Sequence, residues 1–170
     1  VYKRQLMQPP ITGQTVLGWD PAFRTGCKLA VSDPTGKILD TVVIYPTAPQ
    51  NKVSEAKAIL KKLIAKYAAG LIEPDDFVYM DAGTTTGCMI DYITEKRAVY
   101  VTNAVTHARN LAALGFRVIL IGGELKGSTE AVVGANAIEM LRNYNFNKGF
   151  FGTNGISIKC GFTTPDINAV

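Results

Sequence analysis

The chain is 170 residues long, 47% apolar and carries a formal charge of +4, enough to bury one sizeable core and compatible with one or two domains. Residues 1–70 hold ten Lys/Arg against four Asp/Glu and residues 71–170 hold eight against ten, so the two parts differ in composition. Cys27, Cys88 and Cys160 are widely spaced with no Cys-x-x-Cys pair, and no apolar run approaches the roughly 20 residues of a membrane span. These features predict a cytoplasmic protein with reduced thiols, no metal, no cofactor and no membrane partner.

Residues 1–14 carry Pro9, Pro10 and Gly13 without periodicity and read as a disordered leader. Strands are predicted at 15–20, 27–32 and 38–45, separated by a turn at 21–25 and by Asp33-Pro34-Thr35-Gly36, which makes an antiparallel three-strand meander. Pro46 and Pro49 end it, and Ser54 can cap a helix in which Ala58, Leu60, Leu63, Ile64 and Tyr67 recur at helical spacing. Lys57, Lys61, Lys62 and Lys66 form the solvated face of that helix. The remainder alternates strands at 77–81, 98–102, 116–121 and 146–152 with helices near 86–95, 104–114 and 134–143. That alternation implies parallel βαβ units whose strands end on one edge, where ligands of open sheets bind.

Four predicted strand exits carry polar or glycine-rich sequence: Asp81-Ala82-Gly83-Thr84-Thr85-Thr86, Thr102-Asn103-Ala104, Gly122-Gly123-Glu124-Leu125 and Gly152-Thr153-Asn154-Gly155. The first has the form of an anion cradle, in which successive backbone N–H groups, a helix dipole and threonine hydroxyls converge. Asp81 can accept ligand hydroxyls or cap the helix that follows, with capping the default; Asn103 has the same two options. Lys148 can neutralise a phosphate or stand as a surface lysine at a strand start. His107, the single histidine, has neither nucleophile nor metal partners and reads as structural.

These exits, with Leu71-Ile72-Glu73 before them and Gly161-Phe162-Thr163-Thr164-Pro165 after them, resemble the C-terminal sensor domain of DeoR-family transcriptional regulators, which is similar in fold to ribose-5-phosphate isomerase. The resemblance runs from about residue 64 to 170. It implies that Gly83, Thr84, Thr85 and Thr86 hold the phosphate of a phosphorylated sugar or related metabolite, while Asp81, Asn103, Gly123, Lys148 and Asn154 face the sugar or line the cleft. It also implies a homo-oligomer in the intact regulator and DNA binding only through an N-terminal module that this chain lacks. Asn154 stands where the family often has aspartate, and an amide cannot act as the general base of an isomerase; no catalytic residue is assigned.

Residues 14–67, through Leu17-Gly18-Trp19-Asp20-Pro21-Ala22-Phe23-Arg24-Thr25-Gly26-Cys27-Lys28, Asp33-Pro34-Thr35-Gly36-Lys37 and Ile44-Tyr45-Pro46, resemble the YqgF (RNase H-like) domain of the Tex transcription accessory protein. Asp20 matches the first metal-binding carboxylate of RNase H-like nucleases, yet one carboxylate cannot hold the two ions such chemistry needs. The expected division is therefore leader 1–14, a partial RNase H-like fragment at 15–67, and a sensor domain at 68–170, incomplete at its C-terminus, the two fragments joined as a chimera near residues 63–70. The alternatives are a Tex-like nucleic-acid-binding fragment, with weak contact through residues 1–70, and a sugar-phosphate isomerase.

Overall fold

A computed structural model describes residues 13–22, 24–153 and 155–163; the leader through residue 12 and the Asn154 position lie outside the described residues. Two compact units divide at Leu60/Lys61, and both the division and the expected one at residue 67 fall inside one continuous helix.

In the first unit, β1 (Val16–Asp20), β2 (Cys27–Ser32) and β3 (Ile38–Ile44) form an antiparallel sheet in the order β1-β2-β3. Cys27 lies opposite Ile44, and Leu29 opposite both Trp19 and Val42. Period-two alternation puts Cys27, Leu29 and Ile44 on one face, where they bury with Ala56 from the start of α1 (Val53–Ala69). The β2–β3 turn is held by Asp33, whose Oδ1 accepts the Thr35 hydroxyl (2.6 Å), the Thr35 N–H (2.8 Å) and the Lys37 N–H (3.0 Å). Asp20, at the end of the edge strand β1, is exposed.

The second unit is built on β4 (Phe77–Met80), β5 (Val99–Thr102), β6 (Arg117–Leu120) and β9 (Lys148–Phe150), all parallel, in the order β6-β5-β4-β9. Met80 is in register with Thr102 and Phe150, and Thr102 with Leu120. The chain therefore leaves all four strands at one edge. One face is covered by the C-terminal half of α1, α2 (Thr84–Met89), a short 3₁₀ turn (Ile90–Tyr92) and α3 (Val105–Ala113), burying Val78, Met80, Tyr100 and Leu111. The other packs Tyr79, Val101 and Ile121 against Ala137 of α4 (Ala135–Arg142). Both faces are buried, which explains the nearly continuous apolar runs of these strands.

Two hairpins, absent from the sequence-based expectation, complete the described residues: β7 (Glu124–Lys126) with β8 (Ala131–Val133), and β10 (Gly155–Ser157) with β11 (Gly161–Thr163). Their three-residue strands are too short to show a periodicity. Glu124, in the exit that follows β6, opens β7. Among the described residues no helix is long and apolar enough to cross a membrane.

Candidate functional site

The turn after β4 is the centre of the strand-exit edge. Asp81 does not cap α2: its Oδ1 accepts the Ala82 N–H (2.8 Å) and its Oδ2 the Gly152 N–H (3.2 Å), so the carboxylate ties the β4 exit to the β9 exit. The N-cap is Gly83, in extended conformation, and no side chain caps the helix. The first N–H groups of α2 thus lack the side-chain acceptor that usually satisfies helix starts.

The three threonines have different roles. Thr84 is exposed, and its hydroxyl accepts a 2.7 Å hydrogen bond from Lys61 Nζ. Thr85 is half-buried. Thr86 is buried, and its hydroxyl proton is shared between the Asp81 carbonyl at 2.7 Å and the Gly83 carbonyl at 2.8 Å. The expectation that the Thr86 hydroxyl faces a ligand is corrected: it closes the turn from inside.

Lys148 is also corrected. It opens β9, and its ammonium points back toward the residues before β4, donating to Asp76 Oδ2 (2.6 Å) and Glu73 Oε2 (2.9 Å). That is the sheet edge opposite the strand exits. Burial pushes the Asp76 carboxyl up, but the Lys148 ammonium and the Glu73 N–H (2.7 Å) outweigh it and hold the group below the usual carboxylate range. The cation that does reach the glycine-threonine turn is Lys61, which sequence reading assigned to a solvated helix face. A contact between residues 23 positions apart leaves no signature in helical spacing.

Asn103 does not cap α3, whose N-cap is Ala104. The β7–β8 hairpin folds over it: Val132 N–H donates to the Asn103 carbonyl (2.6 Å) and Val105 N–H to the Glu130 carbonyl (3.0 Å). Asn103 is 4% exposed and its side-chain Oδ1 has no partner, so it lies behind the edge and not in an open cleft. Gly123 serves the same hairpin. A Cβ there would sit 2.7 Å from the Val133 carbonyl oxygen, so glycine is required for close approach of the backbones.

His107, on the first turn of α3, is 8% exposed and faces α2; a Cβ at Gly87 would lie 2.9 Å from its Nε2. Its Nδ1 is buried without a hydrogen-bond partner. Burial lowers its pKa, opposed by the Asp81 carboxylate and the Gly83 carbonyl. Sequence reading placed His107 outside the site; the structure sets it directly behind the turn.

The second unit is thus a parallel α/β sheet with an uncapped, lysine-flanked glycine-threonine turn at its strand-exit edge. The family described as "DeoR C terminal sensor domain" matches residues 57–170, and the chain belongs to it. Residues 14–74 match the "Tex protein YqgF-like domain" model, so the two matches overlap across α1.

Among curated relatives, an uncharacterized HTH-type transcriptional regulator FruR of Bacillus subtilis (strain 168) is 44% identical over 107 residues, 62% of this chain and 43% of its own length. The lactose phosphotransferase system repressor of Staphylococcus aureus (strain NCTC 8325 / PS 47) is 37% identical over 100 residues, 57% of this chain and 40% of its own length. An uncharacterized protein YdcI of Bacillus subtilis (strain 168) is 57% identical over 70 residues, 41% of this chain and 10% of its own length. The chain therefore spans less than half of each of these relatives.

Proposed function

We propose that residues 61–170 sense a phosphorylated sugar or related metabolite, bound at the strand-exit edge with its phosphate on Gly83, Thr84 and Thr85 and beside Lys61. The observation that carries this reading is the Lys61 ammonium 2.7 Å from the Thr84 hydroxyl, at a helix start with no side-chain cap. A cation, hydroxyl donors and uncapped N–H groups at one place suit a dianion. Asp81 accepts ligand hydroxyls with the lone pairs its two N–H partners leave free. In an intact regulator, a ligand that binds one domain arrangement better than another shifts the population on DNA. The relatives named above as transcriptional regulators and as a sugar-system repressor agree with this role.

The domain acts without catalysis. By the resemblance Asn154 stands where the family often has aspartate, and an amide cannot act as a general base; steady turnover of ribose 5-phosphate, abolished by Asp81→Asn, would show that view to be wrong. The test of the sensor is a thermal-shift screen of phosphorylated sugars against the parent and Thr85→Ala. A stabilising compound whose effect is lost in the variant supports it; a parent that none of them stabilises rejects it.

The match of residues 14–74 to a Tex-type domain and the basic excess of residues 1–70 favour a second activity, nucleic-acid contact by the first unit. RNA or DNA binding that weakens steeply with salt would support it.

A further inference from the structure

His107 has no task in the reading above, yet it is the buried titratable side chain packed directly on the anion turn. Its Nε2 rests against Gly87, where even one methyl group would collide at 2.9 Å, in the first turn of the helix that Gly83 caps. Its Nδ1 is enclosed and unpartnered, a costly state for a nitrogen that can accept or, once protonated, donate.

The charges around it are few. Asp81 acts on the ring from the β4 exit. Helix α2 carries no charged residue, and Cys88 is its one titratable side chain. From the hairpin, Glu130 accepts the hydroxyl of Thr106, the neighbour of His107 on α3. A dianion seated on Gly83–Thr85 adds negative charge in front of a ring that holds one carboxylate at its side, and the imidazolium is then favoured.

Resting on the anion-cradle reading, we propose that His107 is the positioning residue that holds the Gly83–Gly87 turn in its anion-accepting form, and that occupancy of the turn is coupled to uptake of one proton by its ring. The coupling is reciprocal: the anion raises the proton affinity of the ring, and protonation raises affinity for the anion. Anion binding therefore strengthens as pH falls through the histidine range and is flat above it.

The chain has one histidine, so its ring resonances identify themselves in an NMR pH titration of the full 170-residue protein. Inorganic sulfate is the probe, because it stays a dianion across this range. Sulfate is expected to raise the His107 midpoint by about one unit relative to chloride at equal ionic strength, equivalent to about tenfold tighter binding to the protonated form. In the same samples sulfate should raise Tm more at low pH than at pH 8, and His107→Gln should remove that pH dependence. A sulfate-stabilised parent whose histidine midpoint does not move overturns the proposal alone. A parent that sulfate and phosphate fail to stabilise at any pH overturns the cradle reading and this coupling together.

Discussion

The two neighbouring threonines allow a sharp test, because replacing each by its isostere valine should have opposite consequences. In Thr86→Val the shape is kept and one donor is lost from a buried hydroxyl that sits 2.7 Å from the Asp81 carbonyl and 2.8 Å from that of Gly83. The Gly83 carbonyl keeps the Gly87 N–H at 2.8 Å, so the orphaned group is the Asp81 carbonyl. A lost hydrogen bond together with one unsatisfied buried acceptor amounts to about 2 kcal/mol. In a unit the size of residues 61–170, that lowers Tm by about 9 °C. Thr85→Val, at a half-buried residue of the same turn, should leave Tm unchanged and remove most of the stabilisation given by phosphate. Thermal and urea unfolding with and without 50-fold excesses of inorganic phosphate would read both effects. Should Thr86→Val prove neutral in stability while abolishing the phosphate response, the hydroxyl points at the ligand and the account of the turn is wrong.

The two lysines should separate in the same way. Lys61→Met is expected to reduce phosphate stabilisation with little change in the free protein, whereas Lys148→Met should lower Tm, by stranding the buried Asp76, and leave the phosphate response intact; an exchange of these outcomes would put the cation site at the wrong edge. Gly123→Ala places a Cβ against the Val133 carbonyl, backbone that cannot yield cheaply, and should destabilise by about 1–3 kcal/mol in urea unfolding. The free protein should also lose stability as pH falls below about 6.5. The buried ring of His107 has a lowered pKa, so the unfolded chain binds the proton first, and the contribution is complete above that pH. His107→Gln should flatten the denaturation profile between pH 5 and 7, and an unchanged profile would assign the loss to other groups.

Much of this molecule is local information. Alternation in 27–32, the Asp33–Gly36 turn and the helical spacing of Ala58 to Tyr67 are properties of adjacent residues, and the observed β2, β3 and α1 follow them. The βαβ rhythm after residue 76 carries the parallel sheet, and with it the gathering of strand exits at one edge, because consecutive parallel strands must end on the same side.

The direction in which each polar side chain points was settled only by tertiary packing. Thr84, Thr85 and Thr86 are identical in sequence, but a helix turns about 100° per residue, which leaves Thr84 exposed to Lys61 and drives Thr86 under the turn. Lys148 is drawn away from the site by Asp76, 72 positions earlier, and Asn103 is roofed by a hairpin whose strands are too short to announce themselves. Sequence alone determined that the glycine-threonine run and the other polar strand exits gather at the edge of the sheet. Which of those groups face outward depended on contacts between residues far apart in the chain, and these have no periodicity to read.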